Sequence, residues 1–214
     1  DHEGAINDYL KAIDINPSNW KAYFEMGQVY DELENWDASL NCYSNAIKIN
    51  PRNPELYVKR GIYYHLTDNF SSAKNDLEKA LELQPENIKA LEHLVDNYRK
   101  EMGYEEAIKF LDVLIKSNPK NANAYRFRAG LKRFCPSPSL HEAIEDYTRS
   151  ININPNSEAY SSRGSVKDDL GDHQGSIDDQ TKALDINGED IDALMCRAQS
   201  KIKLGDIKSA CADW

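Results

Sequence analysis

Proline recurs in this chain at a nearly fixed interval. Pro17, Pro51, Pro85 and Pro119 stand 34 residues apart, Pro155 follows after 36, and Gly188 takes the equivalent place 33 further on. Each closes a similar phrase: Ile-Asn-Pro at 15–17, 49–51 and 153–155, Leu-Gln-Pro at 83–85, Ser-Asn-Pro at 117–119 and Ile-Asn-Gly at 186–188. A period of this length restricts the fold to a stack of like units, each too small to bury its own apolar surface and completed by a copy alongside.

Residues 54–87 show the unit most clearly. Tyr57, Gly61 and Tyr64 return to one face of a helix. A break follows at Thr67-Asp68-Asn69, then a second helical run carries Ala73, Leu77, Ala80 and Leu81, and Pro85 ends it. The pattern predicts two short amphipathic helices joined by a tight turn. Asn-Pro pairs such as Asn53-Pro54 suit the cap and first turn of a helix.

The same frame runs through the chain, with full units at 20–53, 54–87, 88–121, 122–156 and 157–190. Residues 1–19 hold only a second helix, with Ala5, Tyr9, Ala12 and Pro17 in the late positions, and 191–214 stop partway through theirs. The pattern W-x2-L-G-x2-Y, A-x3-F, P is met by Tyr23, Met26, Gly27, Tyr30, Ser39, Tyr43, Ala46 and Pro51, and by Tyr57, Arg60, Gly61, Tyr64, Ala73, Leu77, Ala80 and Pro85. Leu91, Leu94, Val95 and Tyr98 open the third full unit, Tyr125, Arg128 and Ala129 the fourth, and Tyr160, Arg163 and Gly164 the fifth. Leu194, Arg197 and Ala198 begin the last, which reaches Ala210 and Trp214.

On these residues the chain resembles the tetratricopeptide repeat family. The resemblance implies an all-α fold: a right-handed superhelical solenoid of stacked antiparallel helix pairs, one array over 1–214. Small residues at the eighth and twentieth positions are expected to let helix axes approach. Large apolar residues at the fourth, eleventh and twenty-fourth are expected to fill the space between, each contributing roughly 1.5–3 kcal/mol when buried. The open ends predict a fragment of a longer array, since solenoids normally close with polar caps. The run RFCPSPSLHE at 133–142 adds two residues and predicts a stiff, outward loop between the helices of the fourth unit.

Composition and motifs narrow the function. A formal charge of −10 argues against nucleic acid and anionic lipid as partners, and no apolar run spans a membrane. The four cysteines are scattered without CxxC pairing and read as reduced thiols, Cys42 and Cys211 on packed helix faces, which favours a cytoplasmic setting. No catalytic constellation, phosphate loop, cofactor motif or metal-ligand spacing is present, so an enzyme is not expected. The histidines His2, His65, His93, His141 and His173 read as surface or groove residues. Asp168-Asp169 and Asp178-Asp179 read as a solvated acidic helix face, lacking the glycine-kinked loop calcium needs. Asn69-Phe70-Ser71 is a glycosylation sequon, relevant only in an exported chain.

In the family the first helix of each repeat lines an inner groove through positions 2, 5, 6, 9, 12 and 13. The fourth unit places Asn123, Arg126, Phe127, Gly130, Arg133 and Phe134 there. With Lys59, His93, Arg99 and Lys100 from the two preceding units, this gives a groove with a basic, aromatic centre and acidic ends. Residues 122–156 carry five basic and three acidic side chains, and 157–190 three basic and nine acidic. Guanidinium groups suit carboxylates through their bidentate fork. The expected function is therefore a protein-interaction scaffold binding an acidic peptide segment at Lys59, His93, Arg99, Lys100, Arg126, Phe127 and Arg133. Neighbouring carboxylates such as Glu92 and Asp96 offer competing partners for these bases. Members that hold the C-terminal carboxylate of chaperones use Lys at position 5 with Asn at position 9, a pair absent here. Two alternatives are end-to-end self-assembly through Trp214 and the Ala5–Tyr9 face, giving a homo-oligomer, and service as the regulatory arm of a larger protein.

Overall fold

The computed structural model describes residues 1–213. Among these residues every regular element is an α-helix: α1 His2–Ile15, α2 Trp20–Glu32, α3 Trp36–Ile49, α4 Pro54–Leu66, α5 Phe70–Leu83, α6 Ile88–Met102, α7 Tyr104–Ser117, α8 Ala122–Phe134, α9 Leu140–Ile153, α10 Ser157–Asp169, α11 His173–Ile186, α12 Ile191–Lys203 and α13 Ile207–Ala210. They divide into two compact units, Asp1–Glu101 and Met102–Trp214. In the first, α2 packs on α3 and α4 on α5; in the second, α8 packs on α9 and α10 on α11. Successive hairpins meet through α1–α2 and α3–α4 in the first unit, and through α7–α8, α9–α10 and α11–α12 in the second.

Local chemistry fixes where each helix starts. Asn19, Asn35, Asn53, Asn69, Asn121 and Asn156 are N-caps whose side-chain oxygens accept from the first-turn backbone N–H groups, and Asp172, Asp190 and Asp206 do the same. The sequon Asn69 is thus already engaged, accepting from Ser72 N at 3.3 Å. In four repeats the tight turn has a left-handed residue at the fifteenth position, and in the third the positive φ falls one later, on Gly103 (φ 93°). Gly171 (φ 84°) and Gly205 (φ 83°) supply it freely, whereas Glu34 (φ 54°) and Asp68 (φ 57°) adopt it against their side chains. In the fourth repeat no such residue occurs; α8 runs to Phe134 and Cys135–Ser139 cross to α9, with Ser139 N donating to Lys132 O at 3.0 Å.

Inside a hairpin the eighth position faces the twenty-fourth. A Cβ added to Gly27 would stand 2.8 Å from the Tyr43 ring, one on Gly61 2.9 Å from Leu77, and one on Gly164 2.9 Å from Gln180. These glycines let the axes close onto fully buried side chains, as the sequence implies. Ala73, Ala107, Ala143 and Ala183 are wholly buried along the second helices.

The seventh position, leucine in the repeat pattern, carries arginine in four of the repeats. Arg60 donates to Asp76 at 2.7 and 2.8 Å, Arg128 to Asp146 at 2.8 and 2.6 Å, Arg163 to Asp179 at 2.8 and 2.7 Å, and Arg197 to Asp213 at 3.1 and 2.6 Å. Each guanidinium thereby joins the first helix of its repeat to the segment of the second. Its remaining Nη1 reaches the preceding hairpin: Ser44 at 3.2 Å, Asp112 at 2.6 Å, Thr148 at 2.9 Å and Thr181 at 3.3 Å. Lys132, Lys167 and Lys201 add a second base to the last three carboxylates. The other two repeats place Met26 with Cys42 and Leu94 with Phe110 at the same two positions, so the site is ionic in some hairpins and apolar in others. The solvated reading of Asp178-Asp179 is therefore corrected: Asp178 is exposed but Asp179 is buried in this clamp. Burial alone would raise the Asp179 carboxyl, but hydrogen bonds from Arg163 and Lys167 hold it below the ordinary value.

Candidate functional site

The residues expected to line a groove fall in both units. Lys59, on α4, is half-buried; His93, Arg99 and Lys100 lie on α6 in the same unit. Those three gather around a histidine that the sequence reads as a surface or groove residue and the structure buries. His65 is only 2% exposed. Its Nδ1 lies 3.3 Å from Asn97 Oδ1, its Nε2 2.9 Å from Asp96 and 3.1 Å from Lys100 Nζ, which ties α4 to α6. Arg99 donates through Nε at 2.9 Å and through Nη2 to the same Asp96 carboxylate. Burial would raise Asp96, but the Arg99 hydrogen bond and the charges of Arg99, Lys100 and His65 hold it low. His93 packs its ring 6.1 Å from that of His65, and burial pushes its pKa below the ordinary value. Within this unit Arg99 and Lys100 are thus engaged by an internal acid, the arrangement that Asp96 offered on sequence grounds.

In the second unit Arg126, Phe127 and Arg133 share α8, whose N-cap is Asn121 and whose last turn carries Lys132 and Arg133 against the negative end of the helix dipole. Arg126 lies over the Phe127 ring, 4.5 Å from its centroid, and Arg133 over Phe134 at 4.9 Å. Both guanidiniums turn to α10. Arg126 pairs with Glu158, and Arg133 with Asp169 at 2.8 Å. The arginine side chains are 12% and 19% exposed, while Glu158 is 65% and Asp169 43% exposed. The bases are stacked on rings and largely covered, and the acids are the more exposed partners. Further along the same face Asp168 accepts from Ser200 at 2.9 Å and Lys203 at 2.6 Å on α12, and pairs with His173 at 2.7 Å. Asp168 and Asp169 are therefore inter-helix pairing groups, which corrects the solvated-face reading.

Between the two arginines lies Gly130, in the middle of α8. A Cβ there would meet only the Tyr147 hydroxyl, at 3.7 Å. No close approach of helices demands glycine at this position, and a glycine inside a helix costs about 1 kcal/mol against alanine. Tyr147 is buried on α9 in a cluster with Ala129, Ala143 and Val166. Burial pushes its phenol up, a hydrogen bond with Ser162 and the charges of Arg133 and Arg126 pull it down, and Glu158 raises it, with a net upward shift. The hydroxyl thus looks out from the core into the space between the arginines. Sequence reasoning placed Gly130 in the groove without seeing this opening; the available signal was that it is the one glycine at position 9 in any repeat.

Among the described residues no cluster of His, Cys, Asp and Glu is arranged to hold a metal ion, and no helix is long and apolar enough to cross a membrane. Cys211, expected on a packed face, is exposed, and Cys42 is buried with its thiol pushed up to about 11 by burial and then by Asp31. Trp214, invoked for end-to-end contact, lies outside the described residues; Ala5 and Tyr9 are half-buried on α1, which packs on α2.

Tetratricopeptide-repeat family models match residues 32–92, 66–131 and 157–190, and a TPR-repeat model matches residues 1–34. No curated protein sequence matches the chain. Yeast Tom70 superposes with a TM-score of 0.77 at 20% identity, over 100% of this chain and 45% of that one. A tetratricopeptide repeat protein from Parabacteroides merdae ATCC 43184 gives 0.62 at 21% identity, covering 93% of this chain and 77% of the other. YrrB, described as a TPR protein with an unusual peptide-binding site, gives 0.50 at 20% identity, covering 87% and 95%. At these identities the likeness is one of fold.

Proposed function

Because the chain belongs to the tetratricopeptide repeat family, whose members are generally interaction scaffolds rather than catalysts, we propose that it binds an acidic segment of a partner protein on the α8–α10 face. The observation that carries this reading is the state of Arg126 and Arg133. Both guanidiniums are stacked on aromatic rings and nearly covered, yet each is neutralised by a carboxylate that is itself largely in solvent. An exposed pair is worth about 0–1 kcal/mol, so an incoming carboxylate can replace Glu158 or Asp169 at little cost. The bound pair then gains from the partner's exclusion of water. Phe134, 64% exposed beside Arg133, offers apolar surface to the same segment. A preformed helical face loses little conformational entropy on binding, and the printed description of YrrB as peptide-binding is in keeping with such a surface.

The test uses an acidic probe peptide of alternating Glu and Leu and measures its affinity by fluorescence anisotropy. The double change Arg126→Glu with Arg133→Glu is expected to abolish binding. Glu158→Gln with Asp169→Asn, which frees both arginines, is expected to tighten it. Equal affinity for all three proteins would remove this face from the function.

A further inference from the structure

Resting on that reading, we propose that the opening over Gly130 is an oxyanion subsite, which takes one phosphate or carboxylate group of the partner segment between Arg126 and Arg133. Arg126, Gly130 and Arg133 fall at i, i+4 and i+7 on α8 and so share one face, with the glycine between the two bases. Seven residues of helix separate the arginine Cα atoms by about 10 Å, within reach of two long side chains converging on the midpoint. The floor is the Tyr147 hydroxyl, 3.7 Å from where a Gly130 Cβ would stand. That hydroxyl and Ser162 can donate two hydrogen bonds while the guanidiniums supply charge and further donors.

The glycine is the second, independent sign. Gly27, Gly61 and Gly164 are each required by a neighbour that a Cβ would strike at 2.8–2.9 Å; Gly130 is required by nothing in the fold. It weakens α8 and leaves room for at least a Cβ over the Tyr147 hydroxyl, at a helix position between two bases. Glu158 pairs with the first base and Asp169 with the second. A single dianion, unlike a single carboxylate, neutralises both arginines when it displaces both acids, so phosphate is the stronger competitor.

Three probe peptides of one sequence, carrying phosphoserine, glutamate or serine at the centre, distinguish the sources on the full chain. The expected order is phosphoserine above glutamate above serine, with Glu158→Gln plus Asp169→Asn raising affinity for the first two at least tenfold. Phosphoserine and glutamate bound equally well would also support the subsite, with a carboxylate as its natural occupant. Gly130→Gln, the residue that positions 28 and 199 carry at the same point of their repeats, is expected to leave the melting temperature unchanged or raised and to weaken both anionic probes tenfold or more. Tyr147→Phe, which keeps the ring, is expected to weaken them three- to tenfold. If both variants bind the anionic probes as the parent does, the subsite is refuted; loss of binding in the arginine reversal alone would leave the broader peptide-binding face intact. Anionic probes that fail to bind even the Glu158→Gln, Asp169→Asn protein would overturn both.

Discussion

At the scale of single residues, the arginine clamp decides which substitutions a hairpin tolerates. Asp76 receives both forks of Arg60, and the hydrogen bond that Arg60 donates to Asp76, opposed by burial and aided by the carboxylate's charge, raises the Arg60 pKa. Removing one member strands the other in a largely apolar place, a loss of roughly 3–5 kcal/mol, whereas replacing both by apolar groups that fit is often neutral. The chain carries its own control in Leu94 and Phe110. Arg60→Leu alone should therefore cost about 3 kcal/mol, and Arg60→Leu with Asp76→Phe should recover most of it. Urea denaturation of the single and double variants measures this; equal losses in both would show that the carboxylate was never the problem. The clamp was legible as a recurring Arg and Asp sixteen residues apart, widened to eighteen by the insertion in the fourth repeat. A template that assigns this position to leucine hides it, because a match to pattern draws attention to the residues that agree. The bases of the candidate face were found by position, but their carboxylate partners on the next helix were not, since pairing depends on rotamers that spacing does not fix.

At the scale of the element, the helices and their boundaries were almost wholly readable. Prolines end the hairpins, asparagines open the helices, and neither depends on distant contacts. The turns carry information the repeat pattern omits. Glu34 and Asp68 hold a backbone conformation that Gly171 and Gly205 adopt without penalty. Glu34→Gly is expected to stabilise the first unit by about 0.5–1 kcal/mol, the relief of the left-handed strain less the extra freedom of glycine in the unfolded chain. Calorimetry reads this as a rise in the melting temperature, and a fall would mean that the Glu34 side chain contributes something its exposed position hides. In the fourth repeat the longer link leaves α8 at thirteen residues, the length of α2, α4, α10 and α12, so Arg133 and its neighbouring ring stand in the last turn as the repeat frame places them.

At the scale of the whole molecule, acid should act on the chain in two stages. Burial holds His93 below 6.5, so the unfolded chain takes up this proton first. Stability from this source is complete above pH 6.5 and is lost as pH falls from there toward the lower folded value. Asp96, Asp168, Asp179 and Asp213 are held below 3.8 by their basic partners against the opposing effect of burial. Their contribution is complete above pH 3.8 and is lost as pH falls through the depressed folded values. Melting temperatures followed from pH 8 to pH 3 should show an early decline that His93→Gln removes and a later one that it leaves; a flat profile between pH 7 and 5 would contradict the first. The stacked-hairpin architecture was evident from the period alone, but the division into two compact units was not, because a repeating pattern describes each hairpin alike and marks no boundary among them. The third contact of each clamp bears on how such a chain can change over generations. Arg60, Arg128, Arg163 and Arg197 each follow a hairpin that offers Ser44, Asp112, Thr148 or Thr181, while Met26 follows Leu10 and Leu94 follows Glu78 at the same point. The modules are alike in shape yet not freely interchangeable. Duplication or shuffling that sets an arginine-bearing module behind Leu10 would deny it an acceptor, so the order of modules is itself an inherited trait.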